Sequence, residues 1–169
     1  MVSHYLATAF TPAVRAAQEE YGSRAALSRW ADQDDGPRPL GAAEQAFLAE
    51  QDGFSMASVS SSGWPYVQWR GGPAGFLRVL DDRTLGWADF RGNRQYLSVG
   101  NAASDPRVAL LVLDHARQQR LKVAGRLTFR DAREGTDWLR HLPLRATTHG
   151  WSGPRSSRSR RSTGTAPST

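Results

Sequence analysis

Apolar and polar residues alternate along the middle of the chain, and apolar residues recur at roughly helical spacing before it. Val14, Ala17, Tyr21, Ala25 and Leu27 lie behind Pro12, which suits a first helical turn, and predict an amphipathic helix over 11–31. The Asp/Gly/Pro-rich stretch 32–39 reads as a loop. Ala46, Phe47 and Leu48, flanked by Glu44 and Glu50, predict a second helix over about 41–51. From Phe54 the period drops to two. Residues 54–60 alternate as a strand, Ser61-Ser62-Gly63 turns, and 64–70 returns, which predicts a hairpin. After the break at Gly71-Gly72-Pro73-Ala74-Gly75, strands are predicted at 76–80, from Thr84 to Ala88, at 107–113 and at 120–129. Helices are predicted at 93–101 and 131–141. Six closely spaced strands with helices at the margins predict a small antiparallel barrel.

Within this pattern the stretch Trp87-Ala88-Asp89-Phe90-Arg91-Gly92-Asn93-Arg94-Gln95-Tyr96 carries the clearest chemistry. A strand that runs through a short Gly-containing turn into a helix aims free backbone N–H groups and the positive end of the helix dipole at one place. Arg91 and Arg94 add planar donors matched to phosphate oxygens. The plain alternatives are a solvated basic turn, with Asp89 capping the helix that follows.

Composition narrows the function. The 169 residues suit one domain of ordinary size, and 39% hydrophobic residues suffice for a core. With no Cys there is no disulfide, thiolate metal site or cysteine nucleophile. The four His (His4, His115, His141 and His149) show no metal-ligand spacing, so no metal is expected. No apolar run approaches the ~18 residues of a membrane span, and the N-terminus does not read as a signal peptide, so a soluble cytoplasmic protein with no membrane partner is expected. The net charge is +6, yet six of the 22 basic residues lie in the last 30 positions, where no acidic residue occurs. Without those six, 16 basic residues face 16 acidic ones, and the balance gives no support to nucleic-acid binding.

Four segments in this order resemble the pyridoxamine 5'-phosphate oxidase family, the FMN-binding split barrels. They are Gly63-Trp64-Pro65-Tyr66, Gly92-Asn93-Arg94-Gln95, Asp105-Pro106-Arg107-Val108-Ala109-Leu110 and Leu121-Lys122-Val123-Ala124-Gly125-Arg126. With Gly71-Gly72-Pro73 and Gly75-Phe76 they are most similar to a bacterial flavin-nucleotide-binding subgroup. The resemblance covers about residues 42–141. It implies a mainly β fold with flanking helices, a six-stranded antiparallel split β-barrel that lacks its last strand here, and FMN bound at a homodimer interface. Arg94 matches a phosphate-binding Arg of the family, and Asn93 a small hydroxyl residue. Gln95 stands where well-known members have Lys, and Gln68 where they have Arg; Arg70, two positions on and on the same strand face, can supply that charge. Arg120 matches a Gln that approaches the flavin ring. The cofactor-binding set implied is therefore Gln68, Arg70, Asp89, Asn93, Arg94, Gln95 and Arg120. Packing within the hairpin is the plainer role for Trp64 and Tyr66, and a solvated strand end the plainer one for Arg70. No catalytic residue stands out.

The chain divides into an N-terminal helical segment (1–40), a barrel domain (41–142) and an Arg/Ser-rich tail (143–169). Composition predicts that the tail is disordered. Shifted to the third base of each codon, with codon choice free at one base, 144–169 can be read as APGYDARVERAAVVAVEAFDWNCPQH. That string contains a β-rich apolar run and resembles the ending of the same subgroup, which points to a frameshift near Leu142. The rival is a genuine tail that binds acidic partners.

The resulting expectation is an FMN-dependent oxidoreductase acting on a small molecule. Its rivals are a non-enzymatic flavin-binding protein, a barrel using a deazaflavin or haem, and a nucleic-acid-binding module driven by the tail.

Overall fold

The computed structural model describes residues 9–31, 39–89, 94–131 and 160–164. The chain divides into two compact units, Met1–Pro39 and Leu40–Thr169. In the first, α1 (Pro12–Glu20) is capped by Thr11, whose hydroxyl accepts from the Val14 N–H at 3.3 Å. The single helix expected over 11–31 is two: Gly22 takes φ +74°, a left-handed conformation that stops α1 before α2 (Arg24–Ala31) begins. Buried Gln18 accepts a hydrogen bond from Arg24 at 3.3 Å and so ties α1 to α2.

The second unit holds α3 (Ala42–Ala49), then β1 (Gly53–Val59), β2 (Pro65–Gly71), β3 (Arg78–Asp81) and β4 (Thr84–Asp89). Helix α4 (Leu97–Ser104) follows, then β5 (Arg107–Asp114), β6 (Gln119–Arg126), β7 (Phe129–Asp131) and β8 (Arg160–Gly164). The strands form two antiparallel four-stranded sheets, ordered β2-β1-β5-β6 and β3-β4-β8-β7. The fold is mainly β with flanking helices. The six expected strands are present, with 120–129 divided into β6 and the start of β7. No described strand pairing joins one sheet to the other, so the barrel is not closed. The helix expected over 131–141 lies outside the described residues, apart from Asp131, which ends β7.

Period-two alternation builds the core. Phe54 and Met56 of β1 are buried with Val108, Leu110 and Val112 of β5, which brings one face of the first sheet inward. Leu85 and Trp87 of β4 answer from the second sheet. Phe54 joins the two: its ring meets Trp87 edge-on with centroids 4.8 Å apart and stacks near Phe76 at 5.8 Å. The register of β1 and β2 sets Phe54 opposite Arg70, Met56 opposite Gln68 and Ser58 opposite Tyr66. The inward face is thus apolar on β1 and polar on β2. A Cβ on Gly53 would lie 2.0 Å from the Trp69 ring, so a larger residue here would force that ring to move.

The tail departs from expectation at 160–164. These residues pair as β8 between β4 and β7, whereas composition predicts disorder from 143 onward. A strand is held by backbone hydrogen bonds, and these form without the alternating apolar side chains that a sequence reading requires. Residues 143–159 and 165–169 lie outside the described set.

Candidate functional site

The polar inward face of β2 gathers the site. Gln68 and Arg70, two residues apart, share that face, as period-two geometry requires. Asp89 closes the end of β4 and brings its carboxylate to Arg70, with Oδ1 2.7 Å from the guanidinium and both side chains about 15% exposed. The second terminal nitrogen of Arg70 donates to the Gln68 side-chain oxygen at 2.9 Å and to the Ser98 hydroxyl at 3.2 Å. Ser98 in turn donates to Gln68 at 3.4 Å. Four side chains from β2, β4 and α4 therefore form one network. Arg70 Nε is buried with no hydrogen-bond partner among the described residues. Burial pulls the guanidinium below the ordinary arginine range, against the opposing pull of Asp89 and Tyr66.

Asp89 thus pairs with Arg70 rather than capping the helix. The helix N-cap is Tyr96, which makes no side-chain capping bond, and α4 starts at Leu97 rather than at 93. The residues before it turn tightly: Arg94 at φ 63° and Tyr96 at φ 54° both occupy the left-handed region, uncommon for non-glycine residues. Arg94 and Gln95 are exposed at this turn, four and three positions before Ser98. Asn93 lies outside the described residues.

Arg120 is not drawn into the network. It is exposed near the start of β6, at the opposite edge of the first sheet from β2. Trp64 is 76% exposed in the hairpin turn, so it does not pack into the hairpin as expected, while Tyr66 is half-buried on the inward face. Among the described residues no group of three or more His, Asp or Glu is placed to hold a metal, and no helix is long and apolar enough to cross a membrane.

Two members of the site region escape a sequence reading. Ser98 is 2% exposed, and Asn101, one turn on, donates to buried Ser58 at 2.9 Å. The signal for Ser58 was available: it continues the inward series Phe54, Met56 with a hydroxyl where an apolar residue belongs.

The family model described as pyridoxamine 5'-phosphate oxidase matches residues 40–166. Among solved structures, a FAD-binding protein of Mesorhizobium loti is 20% identical, with 77% of this chain and 92% of that one covered and a TM-score of 0.51. A proposed pyridoxamine 5'-phosphate oxidase of Lactobacillus delbrueckii is 16% identical, covers 76% and 91%, and has the same score. HupZ of Group A Streptococcus is 14% identical, covers 76% and 90%, and again scores 0.51. These likenesses describe the fold. A search of curated proteins finds no match.

Proposed function

Because the chain belongs to the pyridoxamine 5'-phosphate oxidase family, we propose that it is an FMN-binding flavoprotein that works as an oxidoreductase on a small molecule. The observation that carries this reading is the Arg70–Asp89–Gln68–Ser98 network beside the turn into α4. A buried guanidinium whose Nε–H is unused, next to a helix start preceded by an exposed Arg, fits a ligand that combines a polar planar ring and a phosphate.

Arg94 anchors the phosphate from the turn, with Asn93 and Gln95 beside it in sequence. Gln68, Arg70 and Asp89 serve the ring. The flavin supplies the electron transfer, while the protein supplies orientation and the charge around the ring. Arg120 lies across the sheet from β2 and joins the site from a second copy of the chain. The outer face of the first sheet supports such a homodimer: Val59, Val67 and Trp69 are 40%, 64% and 58% exposed, beside Ala57, Ala109 and Ala124 in register.

Purified protein titrated with FMN tests the reading by flavin fluorescence and visible absorption. The expected result is saturable binding of FMN and reduction of the bound flavin by a small-molecule donor. Binding without reduction by any donor leaves a flavin carrier rather than an enzyme. A haem or deazaflavin spectrum with no flavin bound overturns the FMN assignment.

A further inference from the structure

We infer that Asp89 is the fixed counter-ion of Arg70, and that this pair faces the flavin ring rather than the phosphate, so that its charge balance sets the reduction potential of the bound flavin. The inference rests on the flavin reading above and assigns its site an electrostatic role.

The geometry of Arg70 excludes the simpler role of phosphate anchor. One terminal nitrogen is engaged by Asp89 at 2.7 Å, and the other by Gln68 and Ser98 at 2.9 and 3.2 Å. The Nε–H and the second N–H of the nitrogen bound to Asp89 remain. These two lie on different edges of the guanidinium, so each is an isolated donor that suits one neutral acceptor, such as a carbonyl or ring nitrogen. Neither two-pronged edge of the guanidinium is open, because the second terminal nitrogen shared by both has its two N–H groups engaged, and phosphate oxygens are best met by such a fork. A phosphate would also bring a second anion to a guanidinium already matched by a carboxylate, in a place only about 15% exposed, where like charges are poorly screened. The exposed Arg94 has no such carboxylate among the described residues and stands just before the helix start that favours anions. The two arginines therefore divide the ligand: Arg94 takes its charge and Arg70 its ring.

A charge pair beside the ring has a measurable consequence. Reduction adds negative charge to a flavin, and groups near the ring that change net charge shift its potential. With Asp89 in place the pair is neutral. Asp89→Asn keeps size and shape but leaves Arg70 as a net cation. Arg70→Gln leaves Asp89 as a net anion. The two substitutions must move the potential in opposite directions, and the double variant must restore it. A merely structural role would move both in the same direction or neither.

The test measures the midpoint potential of bound FMN against a reference dye, and the affinities for FMN and riboflavin, in the full-length protein. For Asp89→Asn we expect the reduced flavin to gain about tenfold in affinity over the oxidised form, an upward shift of about 30 mV for a two-electron couple. Arg70→Gln should shift it downward by a similar amount, and the double variant should lie near wild type. The ratio of FMN to riboflavin affinity should stay constant in all three. A rise in FMN affinity alone for Asp89→Asn, with the potential unmoved, assigns Arg70 to the phosphate and overturns the inference. Shifts of the same sign, or none, overturn it as well. If the single variants do not fold, the double variant carries the test, since a buried pair removed as a unit leaves no orphaned charge: a double variant whose potential departs from wild type overturns the inference. Wild-type protein that binds no flavin overturns the functional reading itself, whereas flavin binding without these shifts overturns only the role of the pair.

Discussion

The Asn101 side-chain amide donates to the Ser58 hydroxyl at 2.9 Å, with both residues buried, and so fastens α4 to β1. Removing one partner leaves the other without its bond in the interior, which costs about 1–3 kcal/mol. Asn101→Ala should therefore lower unfolding free energy in urea by that amount. Asn101→Ala with Ser58→Ala should cost less than the sum of the singles, because the two residues are in contact. Additive losses would show that the bond contributes nothing.

The two faces of the β1–β2 hairpin should respond unequally to truncation. Phe54 is fully buried and touches both Trp87 and Phe76, so Phe54→Ala should cost about 3–5 kcal/mol. Val67 points the other way and is 64% exposed, so Val67→Ala should stay within about 0.5 kcal/mol in a monomer. A larger loss at Val67 that grows with protein concentration would reveal a partner on that face.

Arg94→Ala should weaken FMN binding about ten- to a hundredfold and riboflavin binding far less, since a charge-assisted bond to phosphate contributes about 1.5–3 kcal/mol. Fluorescence titration with the two ligands reads this directly. Equal losses would place Arg94 away from the phosphate.

Asp105 provides a pH marker at the start of β5. The side chain and backbone N–H of Arg107 hold its carboxyl down to about 2, from an ordinary value of 3.8. A depressed folded-state value stabilises the fold fully above the ordinary value, and that contribution is lost as pH falls from 3.8 through about 2. Unfolding midpoints of wild type and Asp105→Asn should differ by a constant amount at pH 5–7 and converge toward pH 2. Parallel curves throughout would deny the pair any folded-state role.

The register of β8 sharpens the frameshift expectation. Positions 160, 162 and 164 stand opposite Asp89, buried Trp87 and buried Leu85. In the shifted frame these positions read glutamate, phenylalanine and tryptophan, and the intervening ones alanine and aspartate, an alternation suited to a strand between two others. A gene carrying the shifted frame after Leu142 should give a protein with a higher unfolding midpoint that sediments as a dimer. An independent read of the locus that confirms the present frame, with no gain in stability from the shifted one, would retire the idea.

Alternation made the strands legible, because inward and outward positions differ in chemistry along β1 and β5. The break at Tyr21-Gly22 was written in Gly22 but outvoted by the helical spacing around it. Strand β8 was hidden because composition reports side chains and backbone pairing does not. At the site, β-strand spacing put Gln68 and Arg70 on one face and the family resemblance put Asp89 in the same set, but nothing in the sequence paired Arg70 with Asp89, 19 positions on. Ser98 was missed because a buried serine looks like any other serine until a helix carries it inward.

The inner position of β8 also has consequences for the order of synthesis. The first sheet is complete in sequence by Arg126, and its strands can pair while the chain is still being made. The second cannot: β4 and β7 have emerged long before the strand that separates them, and Leu85 waits for Gly164, 79 positions later. Until then β4 and β7 present open hydrogen-bonding edges to whatever else is nearby. A nascent chain of this protein is thus half finished in one layer and exposed in the other. Its vulnerability to misassembly and to chaperone capture should be concentrated in the interval before residues 160–164 leave the ribosome.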